Sequence, residues 1–505
     1  MFLPNYLDGP TPQCVGLPRL ENSTPGDTKT MSGISRRQLL GYGIGATALA
    51  GISPFSFTRT ASAQTPASAL SKAEDAKSYF ASIDKAFTFQ NLMMDAYATG
   101  NTIRLAQSYS DAALGATAFT YDNAVSIHAY LLRGDRDSLR RAEVLGNGLI
   151  YAQATNFPVN DGRFAQAYFV NTEATDGSGA FITPAAFPFF FYSSAVGDQA
   201  WAGMALAQLY RRTRNQKYLT AALSVANWIV TNTYNTLGPG GYSFGTTINP
   251  GNQSVPSTNG KSTEHNIDTY AFFTMLEELT NHGKASNGKS WKSLAEHALA
   301  FVVAMYNATD GYFFTGTNGD QITTNFYPVP EDCQTWSYMA TLDNRYKKTI
   351  TWALGNLQAT DTAASPDSSL TGSEKFTGMV FDSASLNTTA DDPDAVWLEG
   401  TAHTIAALTA RAIAGGGGFN SRIQDLESAL RLVTGSQHAQ AELGAGQTVN
   451  GVTIPVGLGL VASTSVMDTG FGYTYGPSLH IGATGWYLIA TQGGNPFQLG
   501  YISLP

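Results

Sequence analysis

Six times along the chain a turn and a polar or acidic residue, with an aromatic close by, lead into an apolar helical run. The segments are "TYDNAVSIHAYLL" from Thr120, "VGDQAWAGMALAQLY" from Val196, "STEHNIDTYAFFTML" from Ser262, "PEDCQTWSYMATL" from Pro330, "VWLEGTAHTIAALTA" from Val396 and "HIGATGWYLIATQ" from His480. Their acids, Asp122, Asp198, Glu264, Asp332 and Glu399, follow one another at steps of 76, 66, 68 and 67 residues. The sixth segment lies about 80 residues on and carries no acid. Recurrence at such a period marks one supersecondary unit used over and over.

A second kind of helix fills the gaps. Residues 74–97, 137–153, 216–232, 289–306, 345–357 and 420–433 place apolar side chains at i, i+3 and i+4, with charges on the other side. Half-exposed and fully apolar helices therefore alternate, six of each. The economical arrangement is all-α: an (α/α)6 toroid of six helical hairpins, apolar helices inside and amphipathic helices outside. With 43% hydrophobic and 13% charged residues in 505, the chain can bury the large core this requires. The connections 235–261, 307–332 and 358–395 are too long for simple turns and are expected to line the mouth of the ring. Residues 448–460 read as a short β-hairpin around Asn450-Gly451.

The phrases "TEHNID", "DCQTW", "WLEGTA" and "TGWYLIATQGGNPF", set in that alternation from about residue 70 to 500, resemble exported bacterial members of the six-hairpin, or (α/α)6-toroid, glycosidase superfamily. The resemblance implies a carbohydrate-active enzyme and goes no further. No sugar or linkage follows from it.

In a ring of hairpins the inner helices run in parallel and their N-termini meet at one rim. The five acids would gather there with Tyr121, Trp201, Trp336, Trp397, Tyr475 and Trp486, and with the amides Asn123, Gln199, Asn266 and Gln334. Flat rings suit the C–H faces of sugars, and acids and amides suit the hydroxyls. A plainer reading stays open for each acid alone, since Asp, Glu, Ser and Thr are favoured at helix starts by capping and by the helix dipole. Glycoside hydrolysis needs one carboxylic acid for the leaving oxygen and one carboxylate to activate water or attack. Glu264 fits the acid, with Asp268 one turn below as a like charge that would keep it protonated. Asp332 is the expected base, with Glu399 close behind. Asp122, Asp198, Trp201, His265, Asp268, Trp336, Trp397, His403, Tyr475 and Trp486 are the expected substrate contacts. The expected reaction is cleavage of an oligo- or polysaccharide with inversion, without metal or cofactor.

Other chemistries find less support. The seven His show no HExxH or paired spacing, lone Cys333 has no fixed partner, and 176–181 and 309–320 only weakly resemble acidic Gly loops for calcium. A net charge of −9 without a basic stripe disfavours nucleic acid. A polysaccharide lyase on the same fold would want cations at the rim for a uronate, and only Lys261 and Lys375 lie near. A sugar epimerase is disfavoured by the export signal described next. A non-catalytic glycan-binding protein would keep the aromatics without closely facing acids.

The N-terminal region carries an address. "SRRQLLG" from Ser35 precedes a moderately apolar stretch and then "ASAQ", the order of basic, apolar and cleavage regions in a secretory leader. The Arg36-Arg37 pair resembles the twin-arginine signal. The expected layout is a leader-unlike extension at 1–30, with Met31 the expected start; a twin-arginine signal at 31–63; and one catalytic domain at 64–505. The mature protein would be periplasmic or secreted, handed over by the twin-arginine machinery, without a membrane anchor and with Cys333 as its one cysteine.

Overall fold

The computed structural model describes residues 66–98, 103–110, 114–156, 158–171, 193–249 and 253–501. The expected extension, leader and cleavage site, and the Gly-rich loop 176–181, lie outside these residues. Among the described residues are twelve α-helices: α1 Pro66–Asp95, α2 Thr120–Arg133, α3 Arg136–Ala154, α4 Val196–Thr213, α5 Gln216–Thr233, α6 Thr263–Leu279, α7 Trp291–Ala304, α8 Glu331–Thr341, α9 Lys347–Asn356, α10 Leu398–Ala414, α11 Phe419–Glu442 and α12 Ile481–Thr491. No described helix is long and apolar enough to cross a membrane.

The even-numbered helices close a ring. α2 packs on α4, α4 on α6, α6 on α8, α8 on α10, α10 on α12, and α12 back on α2. The odd-numbered helices each lie outside, α3 on α2, α5 on α4, α7 on α6, α9 on α8, α11 on α10 and α1 on α12. The (α/α)6 toroid expected from the alternation is the fold observed. The apolar-all-round helices are inside because they have water on no side; α12, for example, is buried from Ile481 to Thr491. Close approach needs bare backbone in places: a Cβ on Gly203 of α4 would stand 2.2 Å from the Phe272 ring of α6. Expected helix ends hold to within a few residues except at α1, which starts eight residues earlier, and α11, which runs to Glu442.

The long connections carry short antiparallel strands. Gln358–Thr362 pairs with Lys375–Met379, Lys261–Ser262 and Thr324–Asn325 flank Gly316–Thr317, and Thr448–Val449 pairs with Val452–Thr453 around Asn450-Gly451. What fixes these loops to the ring is a device repeated at every inner helix. The fourth helical residue turns away from the axis and binds the preceding loop's backbone. Asn123 accepts from Ala106 N and donates to Ala106 O; Gln199 does the same with Phe164, Asn266 with Tyr242 and Gln334 with Phe313, all at 2.7–3.2 Å. Thr401 accepts from Met379 N and Thr484 from Leu460 N, both at 2.9 Å. The four amides also donate to the carbonyl four residues before them, tying the helix start. These amides, expected to meet sugar hydroxyls, are instead spent on backbone, because only a donor–acceptor pair satisfies a buried N–H and C=O together. Gln334→Ala would strand those groups of Phe313, at about 1–3 kcal/mol each. A loss of about 3 kcal/mol in unfolding free energy is expected by denaturant titration, with the helix content unchanged.

Candidate active site

Helical geometry sorts the six starts into layers. The second residues, Tyr121, Gly197, Glu264, Asp332, Glu399 and Gly482, form the rim layer of the ring. One turn further, on the same face, come the sixth residues: Val125, Trp201, Asp268, Trp336, His403 and Trp486. This lower layer is sealed, with none of the six more than 2% exposed. Trp336 stacks on Trp486 at 5.7 Å and 17°, and Trp201 lies 5.2 Å from Trp336. Trp201, Trp336, Trp486, His403 and Asp268, expected as substrate contacts, are thus the floor beneath the rim, since i+4 carries them a full turn inward. Trp397, 3% exposed, is covered by Phe381 and Tyr475. His265 is buried against Phe244 and the bare backbone of Gly197. Of the expected aromatics beyond Tyr121, Tyr475 keeps partial exposure.

The acids do gather at the rim, and they are not caps. The residues before α2, α4, α8 and α10 are Phe119, Ala195, Pro330 and Trp397, none giving a side-chain cap. The outer helices α3, α5 and α7 are capped by Asp135, Asn215 and Ser290. Of the five rim acids, Asp332 alone bonds helix backbone, accepting from Cys333 N at 2.5 Å. None of the five is an N-cap, though all five lie in first turns, where the helix dipole favours them.

The rim has two unlike halves. On one side carboxylates and imidazoles alternate. His403 Nδ1 lies 3.2 Å from Glu331 Oε2 and its Nε2 lies 3.6 Å from Glu399 Oε1; His480 Nδ1 lies 3.6 Å from Glu399 Oε2 and its Nε2 lies 3.1 Å from Asp122 Oδ2. Thr404 donates to Glu331 at 2.7 Å, and Tyr121 donates to Glu399 at 2.5 Å while accepting from Trp486 Nε1 at 2.7 Å. Burial pushes the Glu399 carboxyl up, but the His403 N–H facing it at 3.6 Å and the charges of His480 and His403 outweigh this and hold the group below its usual range. Burial lowers His403, yet Glu331 and Glu399 overcome this and raise it to about 9.

On the other side the carboxyls face one another. Burial and then Asp332, Asp268, Asp198 and Glu399, in that order, drive Glu264 well above the usual carboxyl range. Asp332 is raised to about 6, by burial first and then Glu331, with His403 opposing. Asp198 is raised to about 8 by burial and Asp122. Asp268 is raised by burial and by Asp332, and neither of its oxygens has a hydrogen-bond partner; the Trp201 N–H is near enough to favour its ionised form but outside bonding geometry. Glu264 and Asp198 remain partly exposed. The start of α4 meets the start of α6 closely, a Cβ on Gly197 falling 2.6 Å from His265. Cys333 is buried, and its thiol is pushed far up by burial and the Asp332 and Glu264 charges, which keeps it un-nucleophilic. Among the described residues no group of three or more His, Cys, Asp or Glu is placed to hold a metal ion.

Four residues at the rim stood outside the expected site. Glu331 was hidden beside Asp332. His480 takes the place of the missing sixth acid, capping α12 through Ala483 N at 3.2 Å and stacking on Tyr109 at 4.0 Å and 7°. Tyr473 and Tyr109 overlie the ring, Tyr473 feeling the charges of Glu264 and Asp332, and Tyr109 those of Asp122 and Glu399. Both tyrosines are partly exposed. The Tyr-rich run "GFGYTYG" at 470–476 was the available signal.

No family model matches the sequence, and no curated protein matches it. Similar solved structures include an inactive variant of the α-1,6-mannanase of Salegentibacter sp. HEL1_6 in complex with α-1,6-mannotriose, 13% identical, matched over 83% of this chain and 100% of that one with a TM-score of 0.47. Others are an α-mannanase of Bacteroides thetaiotaomicron, 13% identical over 82% and 95% with a TM-score of 0.48, and a glycosidase in complex with glucose, 12% identical over 84% and 98% with a TM-score of 0.48.

Proposed function

We propose that the protein is an exported glycoside hydrolase that cleaves an oligo- or polysaccharide, with Glu264 as general acid and Asp332 as the carboxylate that activates water or attacks. One observation carries this reading: two carboxyls on adjacent inner helices sit at one rim in environments that separate their protonation. Burial and four neighbouring acids hold Glu264 well above the usual carboxyl range and so favour its protonated form, against the helix dipole that would ionise it. Asp332, raised to about 6, is ionised there, with one oxygen fixed by Cys333 N. A protonated and an ionised carboxyl in one polar bowl is what glycosidic cleavage needs. Tyr109, Tyr473 and Tyr475 give this bowl partly exposed rings for sugar faces. Glu399 is reassigned: with Tyr121, His403 and His480 around it and 2% exposure, it anchors the rim and leaves proton transfer to others. The exported location rests on the leader-like segment Ser35–Gln64.

The lyase reading loses one of its two cations, leaving Lys375, exposed at the start of the strand Lys375–Met379. Lys261 is 1% exposed and donates to Leu237 O at 2.6 Å, away from the rim. The test is a panel of glucans, mannans, xylans, amino-sugar polymers and uronate polymers, read for reducing ends and for ultraviolet absorbance of unsaturated products. Reducing ends without unsaturation are expected. Unsaturated products would replace hydrolysis by elimination, and no product from any polymer would leave a binding protein. Proton NMR of the first anomer released decides between inversion and retention.

A further inference from the structure

The two halves of the rim differ in how their charge is met. Glu331, Glu399 and Asp122 are answered by His403 and His480. Among the described residues, no cation is paired with Asp198, Glu264 or Asp268. The strongest influences on Asp198 and Glu264 are burial and other carboxyls. Asp268 is fully buried with both oxygens unpartnered, one turn beneath Glu264 and facing the same acids. Hydrolysis uses two of the carboxyls on this side. Burial without a cation or a hydrogen bond drives such carboxyls toward their neutral form, and a cation arriving at the partly exposed Asp198 would let the two that hydrolysis does not use ionise. A metal ion is a poor fit, because the described acids are not placed to share one. A sugar that carries its own cation fits.

Resting on the hydrolase reading, we infer that Asp198 and Asp268 form a subsite for the protonated amine of an amino sugar, and that the substrate is a glycan with free rather than acylated amino groups. A primary ammonium offers three donors on a tetrahedral head. Asp198, partly exposed and standing beside the bare backbone of Gly197, would take it directly. Asp268 below would contribute charge through the floor. An acetylated amine is neutral, has one N–H and would gain neither.

The test uses the full-length mature protein with Glu264→Gln to prevent turnover, and calorimetric titration with a glucosamine hexamer, an N-acetylglucosamine hexamer and a mannose hexamer. At least tenfold tighter binding of the glucosamine hexamer is expected, with the preference lost in Asp198→Asn and reduced in Asp268→Asn. Equal or weaker binding of the glucosamine hexamer, or a preference that survives both Asn variants, overturns the subsite, as does absence of binding. Calcium chloride alone, titrated in parallel, overturns it if calcium binds and Asp268→Asn removes that binding. The outcomes separate from those of the hydrolase reading. Cleavage of neutral polymers without amine preference sinks the subsite alone, whereas amine preference without cleavage of any polymer sinks the hydrolase alone.

Discussion

Glu264→Gln is expected to lower kcat on the natural glycan by roughly a thousandfold, while affinity for the uncleaved chain stays within a few-fold. The amide keeps the size and hydrogen bonding of the neutral acid but has no proton to give. The loss should shrink on an aryl glycoside whose phenol leaves readily, because that departure needs little protonation. Asp332→Asn should be equally damaging on both substrates, since the attacking step is common to them. An equal loss for Glu264→Gln on both would move Glu264 away from the leaving oxygen, and a wild-type rate would remove it from the mechanism. The pH profile follows from the same environments. Activity should rise as Asp332 ionises near about 6 and fall again at higher pH as Glu264 gives up its proton.

The fold was legible because an inner helix cannot disguise itself: burial on every side demands apolar residues on every side. The rim was legible in its acids for a different reason. Glu264, Asp332 and Glu399 are second helical residues and Asp122 and Asp198 third ones, so steps of 66 to 76 residues survive in the chain. What could not be read was direction. Asn266 and Glu264 stand two residues apart, which is about half a turn on a helix, so one points at the axis and the other at the loop. Trp201 and Trp336 look like sugar platforms by composition, but as sixth residues they lie under the rim. His480 was passed over because its partners are 358 residues away in Asp122 and 81 away in Glu399. A contact of that separation has no local pattern; it exists once the ring has closed and α12 meets α2.

The closure through imidazoles has a consequence for stability. His403 carries a raised value of about 9 in the folded protein against 6.5 for the free side chain. Its folded form thus binds a proton more tightly than the unfolded chain. The stabilisation is complete below about pH 6.5 and is lost as pH climbs through about 9. Asp198, raised to about 8, adds to the same trend, since ionising it inside the rim costs more than ionising it in the unfolded chain. The melting temperature should therefore fall between pH 6.5 and pH 9. His403→Gln at pH 6.5 leaves Glu331 and Glu399 buried without their shared cation, a loss of about 3–5 kcal/mol. That variant should also show a shallower decline at alkaline pH, because the group whose proton is lost there is gone. Scanning calorimetry across this range on both proteins checks the pair. A wild-type melting temperature that rises with pH would mean His403 is neutral in the fold, and the alternating chain would then be held by hydrogen bonds between neutral imidazole and carboxyl groups rather than by charge.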